Sequence, residues 1–379
     1  MNKTDVWGYF IENEVMPSRT KQLRELYQFY NLHKDEITKD IVKLIDIFCL
    51  EIQRQQAEGI MEKCVCIQFS LLRTTLMEGR PVYMLEANDQ TSLNKVSISP
   101  YRYDAEWIFS FMNKWIMDLG EKRKVYMDQI KLFTFEAWVL EQIYPFHVFM
   151  VHAVRYAIDD IEQLQSFQGV AKEESFDIRV GEYKDKEMSE SVYRRHDRHR
   201  SSITCKGWLE NKFEKEYIYE HVAKADVSQG DYSDIHLLYT RFEEMNFSGS
   251  NFQNSLLLGS KFDRCICDYV DFSSSVAFDA SFRDCNLRGA RFDKIVGIRD
   301  VMNERRGTFF GIHGMRFNRA NLQDASFRKA QISADFTYAN LDGTDFTGAE
   351  LIGSRMLQSD VFKVRLSEEQ RRSVSWVEE

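Results

Sequence analysis

From Ala225 onward, bulky apolar side chains recur every five residues, a period that matches neither an amphipathic helix nor an alternating strand. Fourteen blocks follow without a slip, ADVSQ GDYSD IHLLY TRFEE MNFSG SNFQN SLLLG SKFDR CICDY VDFSS SVAFD ASFRD CNLRG ARFDK. Their third residue is large and apolar in most cases, as at Phe242, Phe247, Phe252, Phe262, Phe272, Phe282 and Phe292, and their first is small or apolar, as at Ala225, Ser250, Cys265 and Ala290. After twenty residues the pattern resumes at Met315 as MRFNR ANLQD ASFRK AQIS ADFTY ANLDG TDFTG AELIG SRMLQ SDVFK VRLSE, with AQIS one residue short. A chain that turns a corner at each block explains this. First and third residues then point inward, and each four-block coil buries them only by stacking on its neighbours.

The blocks Ala320-Asn321-Leu322 and Ala339-Asn340-Leu341 stand almost as the consensus A-(D/N)-L-x-x, and over about its last 155 residues the chain resembles the pentapeptide-repeat family. That resemblance implies a right-handed quadrilateral β-helix. It says nothing of residues 1 to 215. The expected class is therefore α+β in two domains, a mainly α-helical N-terminal domain and a pentapeptide-repeat β-helix. No proline occurs after Pro145, which suits a backbone whose N–H groups pair from coil to coil.

In the first half, Leu23, Leu26, Tyr27 and Tyr30, and then Ile41, Leu44, Ile45, Phe48 and Ile52, have the spacing of two amphipathic helices. Val65, Ile67, Phe69 and Leu71 alternate, and Pro81 to Leu85 follow a turn at Gly79, so a small hairpin is expected, in competition with a helix over Leu71 to Met77. Tyr103, Trp107, Ile108, Phe111, Met112, Trp115 and Ile116 predict a helix ending near Gly120, and a longer helical stretch, broken at Pro145, reaches Phe167. The resulting division is 1–167 helical domain, 168–204 charged linker or mobile loop, 205–222 capping helix, 223–366 repeat with an interruption at 295–314, and 367–379 C-terminal capping helix. Trp208, Leu209, Phe213 and Tyr217 would cover the first coil, and Ser367 with Gln370 fits a capping box that starts the last helix. The interruption is either a degenerate coil or a loop, and Arg305, Arg306 and its four glycines favour a loop.

Every fourth block shares a side. GDYSD, SNFQN and VDFSS make a polar side, and TRFEE, SKFDR and ASFRD a mixed charged one. IHLLY, SLLLG, SVAFD and IVGIR differ, placing His236, Leu238, Leu256, Leu258, Val276, Phe278, Val296 and Ile298 outward. A stripe of that height is not left in water. Its expected cover is the N-terminal helical domain, or else a partner or a second copy. Burying seven such side chains at ~25 cal/mol per Å² contributes several kcal/mol or more.

Composition narrows the chemistry. A chain of 379 residues with 44% apolar content can bury a large core, and a net charge of −9 disfavours general nucleic-acid binding. The seven cysteines form no C-x-x-C and read as packing in a reducing compartment. The N-terminus has no signal-peptide pattern, and the most apolar window, Trp138 to Ile158, carries Glu141, His147, His152 and Arg155, so the expectation is a cytoplasmic protein with no membrane span. His147 and His152 are five apart, unlike the i, i+4 pairs that hold zinc, and Asp159 and Asp160 point apart on a helix. Arg194, Arg195, Arg198 and Arg200 within RRHDRHR form a candidate anion or nucleic-acid loop, with a solvated loop as the alternative. There is no phosphate loop, G-x-G-x-x-G, G-x-S-x-G or H-E-x-x-H, and no catalytic, cofactor or metal residues are assigned.

A rod without a cleft suits binding rather than turnover. The expected function is a non-catalytic interaction protein whose repeat supports or presents the helical domain to another protein. The family resemblance implies an alternative, a DNA mimic that binds type II topoisomerase (gyrase) and confers drug or toxin resistance. Between Glu220 and Glu379, however, 24 acidic side chains face 20 basic ones, whereas a mimic must stand in for phosphates. A third alternative places an unrecognised enzyme or nucleic-acid site in residues 1 to 215.

Overall fold

The computed structural model describes residues 3–90, 100–126, 129–196 and 201–378. They form two compact units, Met1–Arg194 with Met302–Thr308, and Arg195–Val301 with Phe309–Glu379.

In the first unit, helix α1 (Lys3–Phe10) passes through one wide turn, Ile11–Val15, into α2 (Met16–Ala57). The two helices expected from the spacing are one, because no proline or glycine interrupts residues 31–40 and the buried stripe Leu23, Leu26, Tyr30, Ile37, Ile41, Ile45, Phe48 and Ile52 never breaks. Strand β1 (Cys64–Leu71) pairs antiparallel with β2 (Val82–Asn88), Phe69 facing Leu85, and the short helix α3 (Arg73–Met77) lies between them, so both competing readings of this segment hold in part. Strand β3 (Arg102–Asp104) leads into α4 (Glu106–Lys124), which runs past Gly120. Lys122, Arg123 and Lys124 sit in its last turn, where cations meet the negative end of the helix. The stretch to Phe167 is three helices, α5 (Leu132–Leu140), α6 (Tyr144–Gln163) and α7 (Gln165–Gly169). Pro145 starts α6 instead of breaking a helix, since the first turn does not need its N–H.

Residues 168–204 are not a linker. They hold strands β4 (Lys172–Glu182) and β5 (Asp185–His196), which complete a sheet ordered β3-β2-β1-β4-β5. Phe176, Ile178 and Val180 alternate inward, and β4 runs parallel to β1 with Ile178 beside Ile67 and Val180 beside Phe69. The charged residues between them are the solvent half of a strand whose partner lies about a hundred residues earlier.

The second unit begins with α8 (Ser202–Glu210), whose N-cap Ser201 accepts the Thr204 N–H and whose Cys205 and Leu209, with Tyr217 beyond it, are buried at the start of the apolar core. From there the chain pairs in parallel with itself, mostly at a spacing of twenty residues, along four ladders. They begin at His221–Arg241–Lys261, Asp226–Asn246–Ile266, Asp231–Asn251–Asp271 and His236–Leu256–Val276. The fifth residue of most blocks turns the corner with a positive φ, as at Gln229 (54°), Asp234 (60°), Tyr239 (54°) and Arg264 (53°). Inside, Phe242, Phe262, Phe282, Phe317 and Phe336 stack at 5.1, 4.9, 5.2 and 5.2 Å between centroids. A second column, Phe252, Phe272, Phe292, Phe327 and Phe346, stacks at 5.2, 5.1, 4.7 and 5.2 Å.

The interruption is shorter than its sequence suggests. Val296 pairs with Val276 behind it and Gln331 ahead, so Ile295–Arg299 is a full side, and only residues 300–314 depart. Its inward third position is Gly297, where the Met315 thioether takes the place of a side chain: a Cβ there would lie 2.3 Å from Sδ. Strands Val301–Asn303 and Thr308–Phe310 pair with each other, and the returning limb is pinned by Asp279, whose carboxylate accepts the N–H groups of Ile312 (3.1 Å), His313 (2.7 Å) and Gly314 (2.9 Å). The tip, 302–308, belongs to the first unit: Arg19 Nη2 donates to the carbonyls of Glu304 (3.1 Å) and Arg305 (3.0 Å), and buried Gly307 lies against Leu23 and Pro145.

At the C-terminal end Ser367 does cap a helix, but that helix, α9 (Glu368–Ser373), is six residues long. Ser375–Val377 then adds a strand beside Arg355–Leu357, Trp376 opposite Met356, so the chain closes on a last rung of the His221 ladder and not on a helix.

Candidate docking face

Two of the four sides of the stack, those of the Asp226 and Asp231 ladders, share one local device. There the second residue of most blocks is Asp or Asn, and its side-chain oxygen accepts the N–H two residues on: Asp226 from Ser228 (3.0 Å), Asn246 from Ser248 (3.0 Å), Asn251 from Gln253 (3.0 Å), Asp271 from Ser273 (2.9 Å) and Asp345 from Thr347 (2.9 Å). Inward serines settle carbonyls one turn back, Ser255 on Tyr232 (3.1 Å) and Ser275 on Phe252 (2.8 Å), which accounts for small hydroxyl residues at first positions. The bonds from Thr347, first its hydroxyl and then its N–H, with Arg328 after them, hold the Asp345 carboxyl down to about 2. Lys212 and Ser233 do the same for Asp231, also to about 2.

Two ladders lack the device at most positions: the His221 ladder is mostly charged there, with Arg241, Lys261, Arg316 and Arg355, and the fourth ladder is apolar. It reads His236, Leu256, Val276, Val296, and only then Gln331 and Glu350. Leucine and valine accept no hydrogen bond, so these positions forgo the turn contact that the Asp226 and Asp231 sides keep. Beside them Leu238, Leu258, Phe278 and Ile298 form a second column, tied by Tyr239 N–H to the Leu258 carbonyl (2.8 Å) and Gly259 N–H to the Phe278 carbonyl (2.8 Å). The seven apolar residues expected on this face are thus brought together over four turns, each half-buried, with His236 exposed. The excursion covers one end, the Phe310 ring lying 5.8 Å from Phe278.

The other sides are polar and neutralise themselves. Arg241 pairs with Asp263 (3.2 Å), Arg291 with Asp271 (3.4 Å), Arg319 with Asp284 (2.6 Å), Arg328 with Asp345 (2.6 Å) and Arg355 with Asp335 (3.3 Å).

The profile of the pentapeptide repeats, in eight copies, matches residues 256–293 and 332–367. The C-terminal region is built of pentapeptide repeats. No curated protein matches the sequence. Among solved structures, this chain is similar to QnrB1, a plasmid-mediated fluoroquinolone resistance protein, at 18% identity over 43% of this chain and 85% of that one, with a TM-score of 0.24. It is also similar to HetL, a pentapeptide repeat protein involved in heterocyst differentiation regulation from the cyanobacterium Nostoc sp. strain PCC 7120, at 13% identity over 42% of this chain and 98% of that one, TM-score 0.19. A pentapeptide repeat protein from the Arabidopsis thaliana thylakoid lumen is 21% identical over 39% of this chain and 72% of its own, TM-score 0.18.

Outside the pentapeptide-repeat region, the candidate anion loop does not assemble as drawn. Arg194 lies on β5 and pairs with Asp177 at 2.9 Å, and Arg195 is exposed at the end of the same strand. Arg198 and Arg200 lie outside the described residues. His147 and His152 are both buried in α6, His147 Nδ1 being 2.7 Å from the Tyr83 hydroxyl, and burial pushes their pKa values down, to about 4 and about 3. All seven cysteines are free and buried. Among the described residues no group of three His, Cys, Asp or Glu is placed to hold a metal, and no helix is long and apolar enough to cross a membrane.

Three features went unread in the sequence. One is a cavity of about 600 Å³ lined by Leu76, Met112, Ile116, Phe133, Phe135 and Val139, signalled only by the all-round apolarity of α5. The others are Asp279 and Arg19, whose partners are backbone groups far along the chain.

Proposed function

We propose that this protein is a non-catalytic interaction protein in which the pentapeptide-repeat region, wound as a right-handed quadrilateral β-helix, supports or presents the helical domain to another protein, with the apolar face as its docking surface. One observation carries the reading. Leu256, Val276 and Val296 stand where two of the other sides hold mostly Asp or Asn and the third mostly Arg, Lys or Ser, and an apolar side chain repeated at that outward position of the stack has an apolar surface to meet. Free, buried cysteines support a reducing, cytoplasmic setting. The paired arginines on the polar sides speak against a phosphate mimic, and supercoiling by purified gyrase should be neither inhibited nor protected from a poison by excess protein.

The test is affinity purification with mass spectrometry from the native source, comparing the wild-type chain with L256D/V276D, both checked for fold by circular dichroism. A protein recovered with the wild type and lost with the double variant supports the face. Identical recoveries from both refute it.

A further inference from the structure

Helix α5 (Leu132–Leu140) reads LFTFEAWVL, apolar on every side but for Thr134 and Glu136. A helix of that composition is ordinarily buried all round. This one is anchored on one side only: Phe135 lies 6.4 Å from Phe10, and Trp138 lies 5.7 Å from Trp7 and 6.1 Å from Trp115. On another side, where Phe133 is 81% exposed, it borders the cavity of about 600 Å³ that residues of α3, α4 and α5 enclose.

The cavity has an apolar floor and a mixed mouth. Leu76, Met112, Phe135 and Val139 are buried, whereas Asn113 is half-buried and Phe133, Glu136 and Ala137 are exposed. Only two of the lining side chains are polar, Asn113 from α4 and Glu136 from α5, and among the described residues neither has a hydrogen-bond or ion-pair partner. A volume within about 300–1,000 Å³, a mostly apolar lining and a few polar groups that fix orientation are the marks of a small-molecule site. The two polar groups also select the ligand's head. A carboxylate only accepts hydrogen bonds, and a carboxamide accepts as well as donates, so an ammonium can donate to both. No cationic side chain lines the cavity, and an anionic head would set like charge against Glu136.

We infer that this cavity binds a small cationic amphiphile, an unbranched alkyl chain on the apolar floor with its primary ammonium at the mouth between Glu136 and Asn113. The site is built from residues of the first unit alone, so this inference and the docking face of the repeat do not depend on each other.

The experiment is isothermal titration calorimetry of the full chain with octyl-, decyl- and dodecylammonium chloride, each below its micelle concentration, with decanoate and decanol for comparison. Saturable binding is expected, with a Kd for decylammonium on the order of 100 µM that tightens about fourfold per added methylene until the floor is covered. Decanoate should bind at least about tenfold more weakly. Glu136→Gln, at an exposed position, should weaken decylammonium about threefold to fivefold, less in high salt, and leave decanol unchanged. Ala137→Trp, also at an exposed position, places an indole in the mouth and should weaken every ligand at least about tenfold, with both variants checked for fold by circular dichroism. No saturable binding of any alkylammonium up to about 1 mM overturns the inference. So do equal affinities for decylammonium and decanoate, or binding that Ala137→Trp leaves unchanged. A protein from the native source that Ala137→Trp fails to recover, with no amine bound by the wild type, would make the cavity a protein-docking groove and overturns it as well.

Discussion

Replacing Phe262 by alanine tests whether the repeat core behaves as one continuous stack. Its ring lies within 6 Å of five others, Phe242 (5.1 Å), Phe247 (5.7 Å), Phe252 (5.9 Å), Phe272 (5.7 Å) and Phe282 (4.9 Å). Phe346, near the far end, meets two, Phe327 (5.2 Å) and Phe336 (5.6 Å), yet at 1% exposure it is as buried as Phe262 at 0%. Losing a buried phenyl ring costs about 3–5 kcal/mol in transfer and cavity terms, much the same at either place. Each aromatic contact adds about 0.5–1.5 kcal/mol beyond area, so three further contacts make Phe262→Ala costlier than Phe346→Ala by roughly 1.5–4.5 kcal/mol. The measurement is native-state hydrogen exchange of the repeat amides in the full chain, which reads local opening free energies on both sides of each lesion. If the two alanine variants were equal within about 0.5 kcal/mol, burial alone would explain the core and the argument from stacked rings would be wrong.

Further outcomes follow from single features. His147 and His152 are neutral in the folded state because burial lowers their pKa values to about 4 and about 3, so the stability they contribute is complete above the unfolded value near 6.5 and is lost as pH falls from there. The unfolding free energy of the wild type, read from urea titrations, should drop by about 1.4 kcal/mol per pH unit for each histidine down to about pH 4, and a H147Q/H152Q variant should flatten that slope. Arg19→Ala removes the donor to the Glu304 and Arg305 carbonyls, so trypsin should cut after Arg305 or Arg306 at least about tenfold faster, while cleavage in the stacked repeat stays the same. Gly259 has φ +63° and a Cβ there would lie 2.3 Å from the Tyr239 ring, so Gly259→Ala should cost about 1–2 kcal/mol in backbone strain plus the displaced ring; in a Tyr239→Ala background only the strain remains, a non-additivity that a double-mutant cycle reads directly.

The repeat was legible because its inward positions repeat exhaustively: Phe247, Phe262 and Phe282 all lie in the core, and the phase that put Leu256 and Phe278 on one side is the phase of the ladders. The corners were not legible. The fifth position takes a left-handed backbone whether it holds Gln229, Tyr239 or Arg264, so geometry imposed by the coil overrides residue preference and leaves no signature. The block IVGIR hid for a similar reason, since its inward side chain is supplied by Met315 from another block. In the first half, α2 is visible as a periodic stripe, but β4 and β5 read as a linker because only Phe176, Ile178 and Val180 alternate and the partner that places β4 in a sheet, β1, is remote. Arg19 carried no hint at all, because what it holds is main chain rather than a complementary side chain.

The departure between Arg299 and Met315 leaves the rungs on either side aligned: Ser281 meets Arg316 as Arg241 meets Lys261. Registry in this half of the molecule is therefore indifferent to how long the chain stays away, provided it leaves after a finished side and returns to the Asp279 carboxylate. That makes the corner a natural place for lineages to lengthen, shorten or exchange a module, and a sensible first choice for an engineer who wants to graft a foreign domain onto the stack without disturbing it.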